Sequence, residues 1–314
     1  MIPEAKSIAA VFLFRNWPTT PFELCLHSMD LQTRKFDEVI LIDLASDESF
    51  AAPMEELCKQ WKVDYHYLAV DASPRIIDLY LWNTAINFGI RKAKSDLILK
   101  CGVDRLYERN TVQHLLDAYN RLQKRNMDSM LAAGVRNLYR FPDPSELKDF
   151  RKLLHEATWR GGYAYECASR CWFHKVRGYD ESLRWYEDLD ISIRAKVDKL
   201  AFIWISRGEL TPERDEQECR VIHLAKHPKS RKAYGDWDVI EIARRGKRFI
   251  HKNRYNRNII RNDETWGQIT EEKIERAKLK SNWTSDDCAK SLALWIEDYE
   301  KWYKVHGWGG FLSV

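Results

Sequence analysis

No stretch of this chain comes near the roughly 20 consecutive apolar residues that a membrane-spanning helix requires. The opening MIPEAKS followed by IAAVFLF has neither the basic n-region nor the cleavage site of a secretory leader. The expectation is a cytoplasmic protein. Cysteine is sparse and scattered, with seven residues, an odd number, at 25, 58, 101, 167, 171, 219 and 288. The closest pair, Cys167 and Cys171, has neither redox nor zinc-knuckle spacing, which argues against a disulfide framework and leaves buried free thiols. Internal repeats and low-complexity linkers are also absent. What remains is globular: 314 residues, 45% hydrophobic and 12% aromatic, enough for one large α/β domain with appendages or for two domains.

The net charge of +4 is small but unevenly placed. Between residues 220 and 262, thirteen Lys or Arg face only Asp236, Asp238 and Glu241, a local excess of +10 that leaves about −6 for the rest. A stretch containing HPKSRK, RRGKR and HKNRYNRN suits a polyanionic partner: a nucleoside diphosphate, nucleic acid or an acidic membrane surface. A solvated basic helix face accounts for some of the same residues.

The first half alternates short apolar runs with amphipathic stretches, the pattern of βαβ units and a mostly parallel sheet. Strands are expected over 8–14, 38–44, 65–70 and 96–101, and helices over 21–29, 50–61 and 78–93. Ligands of open α/β sheets sit at the carboxyl ends of the strands, which directs attention to Arg15, Asp43 and the turn from Gly102 to Asp104. Beyond 136–144 the sequence turns irregular and aromatic, as in Trp159-Arg160-Gly161-Gly162-Tyr163-Ala164-Tyr165, and loops of this kind carry binding groups. From about Ala233 onward, helices rich in Trp and charge are expected.

Several acids stand where chemistry needs them. Asp43 closes an apolar strand, where a carboxylate can accept from a nucleobase imide or a ribose hydroxyl, although Asp and Ser also simply form turns. Asp104 follows the strand LILKCG; a divalent ion such as Mg²⁺ or Mn²⁺ requires oxygen ligands of this kind, and a plain turn Asp is the other reading. Trp185-Tyr186-Glu187-Asp188-Leu189-Asp190 gathers three carboxylates just before an expected helix over 191–197. Two readings stand: a base with supporting acids, since clustered carboxylates raise one another's pKa, or an acidic first turn favoured by the helix dipole. His223 and His227 are four apart, a metal-ligand spacing on a helix, but they follow the apolar Val221-Ile222, which fits a strand end carrying one ligand better. For Trp185 and Tyr165, sugar stacking and core packing are both open.

In their order these pieces resemble the family 2 type of nucleotide-sugar glycosyltransferases with the GT-A fold, with a galactosyltransferase-like C-terminal segment. The resemblance runs from about residue 8 to 266. It rests on Phe14-Arg15-Asn16, Ile42-Asp43 through Ser46-Asp47, Asn87-x-Gly89, the strand ending at Asp104, Gly161-Gly162, Gly178-Tyr179-Asp180-Glu181, Glu187-Asp188-x-Asp190 and the segment from His223 to His227.

It implies a GT-A domain over 1–232, with a nucleotide-sugar half to about 105 and an acceptor half over 106–232, followed by a helical extension over 233–314. It further implies Asp188 as the general base, with Glu187, Trp185, Gly162 and Tyr165 beside the acceptor. Asp43 and Arg15 would lie at the nucleotide, Asp104 and His223 on a divalent metal (Mn²⁺ or Mg²⁺), and Lys226, His227 and Arg231 on the leaving diphosphate. By the residues alone, Glu187 and Asp190 stay open as the base beside Asp188, with Asp190 the one best suited to a structural place. The chain departs from the pattern at Gly102, where the family's DxD motif has its first acid, and at Leu44, where a second acid usually stands.

The implied activity is inverting transfer from a UDP-sugar to a glycan or other hydroxyl. Such transfer needs a base for the acceptor hydroxyl and cationic charge for the departing diphosphate. Two other functions are carried alongside: the same chemistry on a hydroxylated base in DNA, bound through the basic stretch at 220–262, and a decayed module that only binds nucleotide or polyanion.

Overall fold

Apolar runs with no polar face become central strands, because only burial on both sides of a sheet suits them. IAAVFLF forms β1 (Ile8–Phe14), buried along its whole length, and EVILIDL forms β2 (Glu38–Leu44). The computed structural model of the chain describes residues 4–159, 166–183, 187–204, 221–224 and 258–280. In chain order the strands continue with β3 (Asp64–Leu68), β4 (Leu97–Gly102), β5 (Arg105–Tyr107), β6 (Ser129–Ala132), β7 (Val135–Leu138), β8 (Thr158–Trp159), β9 (Glu166–Ser169), β10 (Ala201–Trp204) and β11 (Val221–Leu224). The helices are α1 (Thr20–Asp30), α2 (Glu48–Trp61), α3 (Pro74–Tyr80), α4 (Trp82–Lys92), α5 (Thr111–Gln123), α6 (Phe150–Glu156), α7 (Arg170–Val176), α8 (Glu187–Val197) and, last described, α9 (Glu271–Lys280).

Seven strands make the main sheet in the order β10-β6-β9-β4-β1-β2-β3. β4, β1, β2 and β3 run parallel, as do β10 and β6, while β9 runs antiparallel between β4 and β6. The chain leaves β1 towards β2 and β3 and then returns to β4 on the other side of β1. The carboxyl ends of β1 and β4 therefore flank a topological switch point, where crevices form in α/β sheets. In register, Leu13 stands opposite Gly102 and Phe14 opposite Asp43, which brings three strand ends level. A second sheet, β5-β11-β7-β8, lies beyond the end of β4.

Alternation divides the core. Ile8, Ala10, Phe12, Leu97, Leu99 and Cys101 pack on one face with α1, α2 and α5 residues, whereas Ala9, Val11, Leu13 and Ile98 pack on the other with α4, α7 and α8. Cys25, Cys58, Cys101 and Cys167 are buried thiols, and Cys171 is exposed. No described helix is long and apolar enough to cross a membrane.

The helix expected over 78–93 is two helices. They meet at Leu81 (φ −109°, ψ −1°), where α3 ends and α4 begins; α4 lies on β1 and β2 while α3 meets α9 through Ile76, Tyr80 and Ala277. The Asn87-x-Gly89 motif has a physical basis in this packing. A Cβ at Gly89 would come within 2.5 Å of Val11 Cγ1, so only glycine lets α4 approach the sheet this closely.

Asn87 holds the turn before the acidic hexad, donating from Nδ2 to Tyr179 O (2.8 Å) and accepting from Tyr179 N–H (2.7 Å). Asn83 adds bonds to Asp180 O and Leu183 O. Replacing Asn87 by Ala strands the buried Tyr179 N–H, while Tyr179 O keeps its bond from Asn262 Nδ2, and urea unfolding is expected to show a loss of about 1–3 kcal/mol.

Residues 258–280, placed by sequence in the extension, pack on this core. Trp266 is buried among β1, α4 and α7 residues, with its carbonyl accepting from Arg91 (2.6 Å). Asn262 bonds Arg177 O and Tyr179 O, and Lys273 pairs with Glu181 at 2.7 Å.

Candidate active site

Two of the strand-end residues brace the crevice. Arg15, just past β1, pairs through Nε with Asp78 Oδ1 (2.7 Å) and donates from Nη1 to Leu44 O (2.8 Å) and to Ala45 O, with a side chain only 4% exposed. Asp43 is fully buried and accepts from Ser46 N–H (3.0 Å) and Tyr65 Oη (2.7 Å). Arg15 thus ties the ends of β1 and β2 to α3, and Asp43 ties the end of β2 to β3.

At the end of β4 the expected metal pair comes together across two sheets. His223, on β11, lies opposite Arg105 of β5, and its Nε2 is 2.9 Å from Asp104 Oδ2. Its Nδ1 lies 2.8 Å from Asn137 Oδ1, and Asn137 Nδ2 donates to Tyr139 Oη at 3.3 Å. With the amide so oriented, Nδ1 carries a proton and donates it. A neutral ring then presents a lone pair on Nε2 to a carboxylate oxygen, and two facing acceptors require a cation between them, either a proton or a metal ion. Burial works to raise the pKa of Asp104, but the His223 hydrogen bond and the Arg105 and His223 charges outweigh it and hold the carboxyl at about 2. Among the described residues no three His, Cys, Asp or Glu converge as a metal cluster.

The three acids of the hexad open α8. Glu187 and Asp188 stand in its first turn, half-buried, and Asp188 Oδ1 accepts from Leu189 N–H at 2.8 Å. Lys100, the one charged residue of β4, points to the same face of the sheet. Its Nζ lies 3.2 Å from Glu187 Oε1 and 3.6 Å from Glu166 Oε2, and 4.9 Å from the centre of the Tyr179 ring. Glu166 is the cross-strand partner of Lys100 on β9 and accepts from Tyr179 Oη at 3.2 Å.

Burial opposes the Lys100 charge, but Glu166, Glu187 and Asp188 outweigh it and hold the ammonium well above its ordinary pKa. Burial also raises Glu166, with Lys100 pulling it back. Asp188 is pushed up to about 7, first by burial and then by Glu187 and Glu166, with Lys100 and the Leu189 N–H opposing. A carboxylate balanced near neutrality is what a general base at physiological pH requires.

Asp190 is separate from this cluster. It is fully buried, 2.8 Å from Arg194 Nε and 3.4 Å from Arg261 Nε. Arg261, one of the thirteen basic residues of the 220–262 stretch, is thereby part of the core, with a side chain 4% exposed. Trp185, Gly162, Tyr165, Lys226, His227 and Arg231 lie outside the described residues, as do the other twelve basic side chains of that stretch. Sequence reading passed over Lys100, Glu166 and Arg105. The signal for Lys100 was a lone charge inside the apolar run LILKCG.

By sequence the chain matches no protein-family description and no curated protein. By structure it is similar to S. aureus TarS 1-349 in complex with UDP, at TM-score 0.50 and 13% identity over 98% of this chain and 75% of that one. The longer S. aureus TarS structure aligns with 78% of this chain at TM-score 0.49 and 11% identity, and this chain spans 40% of its length. The fold is the one the motif order implied: a mostly parallel mixed sheet flanked by helices, the GT-A arrangement shared with TarS.

Proposed function

We propose that the chain is an inverting glycosyltransferase that moves a sugar, a hexose, from a uridine diphosphate donor to a hydroxyl of a glycan or other acceptor. The observation that carries this reading is the pairing of two sites on β4. A carboxylate with a near-neutral pKa, Asp188, stands beside Lys100 near the strand's end, and the Asp104–His223 pair stands just past it. The TarS relative of the same fold is described in complex with UDP, which supports the choice of nucleotide.

Asp188 takes the proton from the acceptor hydroxyl as that oxygen attacks the anomeric carbon, and attack from the face opposite the diphosphate inverts the centre. Glu187, held by Lys100, borders the acceptor and keeps a negative neighbour beside the base, sustaining its proton affinity. Asp104 would give a divalent ion one oxygen ligand and His223 one nitrogen, with water and phosphate oxygen filling the remaining positions. Such an ion would supply positive charge to the leaving diphosphate.

Thermal unfolding with UDP, UDP-hexoses and other nucleoside diphosphates, each with Mn²⁺ or EDTA, tests the reading. A ligand at 100 times its Kd stabilises the folded chain by about 2.7 kcal/mol, so a rise of several degrees with UDP is expected. No shift with any nucleoside diphosphate under either condition would remove the proposal.

A further inference from the structure

The motif at the end of β4 departs from the family pattern at Gly102, and the structure accounts for what fills the gap. Ile98, Lys100 and Gly102 share one face of the strand by alternation. A Cβ built on Gly102 would point 2.9 Å from Asp104 Oδ1, 3.1 Å from Arg105 Nε and 3.2 Å from Arg105 Cγ. The volume that a side chain at 102 would take thus belongs to Asp104 and to the stem of Arg105. The guanidinium Nε lies 3.5 Å from Asp104 Oδ1, too far and too poorly aligned for a hydrogen bond. Its Nε and Nη1 are buried with no hydrogen-bond partner among the described residues. The side chain as a whole keeps 16% exposure beside the switch-point crevice.

A buried guanidinium with unused donors is costly unless an anion completes it. Asp104 answers the Arg105 charge through Oδ1 while His223 holds Oδ2, but no hydrogen bond joins that carboxylate to the guanidinium, so its donors are left for a second anion. Arginine suits phosphate oxygens because its planar fork donates two parallel hydrogen bonds.

We propose that Arg105 is a donor-diphosphate contact that occupies the place of the missing acid at position 102 and supplies fixed positive charge beside Asp104. The inference rests on the glycosyltransferase reading of the same site and deepens it, because a resident cation makes diphosphate binding only partly dependent on a divalent ion.

Titration calorimetry with UDP and with uridine, in Mn²⁺ and in EDTA, tests it on the wild type, Arg105→Gln and Arg105→Lys. The wild type is expected to bind UDP in EDTA within about tenfold of its affinity in Mn²⁺. Losing a charge-assisted phosphate contact costs about 10- to 100-fold, so Arg105→Gln should weaken UDP by that factor in EDTA and leave uridine unchanged. Arg105→Lys should recover part of the loss.

UDP binding to Arg105→Gln at wild-type strength overturns the inference while leaving the glycosyltransferase reading intact. A wild type that binds no nucleoside diphosphate removes that reading and this one together. If Arg105→Gln loses UDP and uridine alike, the fold is at fault and Arg105→Lys decides. Retained UDP in the lysine variant supports the charge, and selective failure to bind UDP by a lysine variant that still binds uridine supports the guanidinium fork. Unselective loss in both variants overturns the proposal in favour of a purely structural arginine.

Discussion

Replacing Asp188 by Asn is expected to lower the turnover of sugar transfer by about 10²- to 10⁴-fold, the range that a positioned general base contributes, while UDP binding stays within a factor of two or so of wild type. The carboxamide keeps the size of the side chain and can still accept from Leu189 N–H, but it cannot take a proton. Unfolding does not account for such a loss, because the substitution acts on stability in the opposite direction. The Asp188 pKa is raised from 3.8 to about 7, so between these values the folded chain binds more protons than the unfolded one. Stability therefore falls as pH rises through that window, and at pH 8 the Asn variant, which carries no charge to bury, should melt higher than wild type. A variant that is both inactive and less stable at pH 8 would contradict the assignment.

The same carboxyl is expected to set the acid limb of the pH profile. Only the ionised form accepts a proton, so kcat/KM should fall tenfold per pH unit below about 7. Glu187 on α8 and Glu166 on β9 raise this limb, and Lys100 on β4 lowers it. Lys100→Met should therefore move the limb to higher pH, and Glu187→Gln should move it lower. A residue that merely packed the strand would alter rate or stability without these opposed shifts. Initial rates of UDP release across pH 5 to 9, at saturating and at limiting acceptor, check both directions.

How much of this was readable in advance depends on the range of the interactions. β1 and β2 match their apolar runs residue for residue, because a strand buried on both faces excludes polar residues wherever it lies. Asn87-x-Gly89 and the Gly178–Glu181 turn were visible as separate pieces, but the bond between them joins residues 92 apart, and periodicity carries no information at that range. The single helix expected over 78–93 failed because local pattern is nearly continuous through Leu81, whereas the break arises from α4 following the sheet and α3 following α9.

β5, β7 and β8 are two to four residues long, too short for alternation to register. The motif order paired Asp104 with His223, which the structure places 2.9 Å apart, but it gave no sign that Arg105 lies beside them. Only the built geometry reveals that glycine at 102 gives its space to the next charged side chain but one. Lys100 and Glu166 were missed for a similar reason: cross-strand register makes them partners.

The largest expected loss of stability lies outside the chemistry, at Arg194. Its Nε stands 2.8 Å from Asp190 Oδ2, with both side chains fully buried, although the N–H is not aligned on the oxygen as a hydrogen bond requires. Burial disfavours both charges, pushing Asp190 up and Arg194 down from their ordinary pKa values. The pair is held by what surrounds it. Arg194 Nη1 donates to Gly178 O (2.7 Å) and Val176 O (3.2 Å), and Arg261 approaches the other oxygen of Asp190.

Arg194→Leu removes the cation and leaves a buried carboxylate with Arg261 alone, so urea unfolding is expected to show a loss of about 3–5 kcal/mol. Removing both charges, in Asp190→Leu with Arg194→Leu, should return much of that, because well-packed apolar residues often equal a buried ion pair. The return is incomplete, since the carbonyls of Gly178 and Val176 still lose their donor. Gly178 begins the turn that Asn87 grips and that leads towards α8, so the single variant should also misplace Glu187 and Asp188 and lower kcat. If the single and double variants are equally unstable, the carbonyl bonds rather than the ion pair hold this junction.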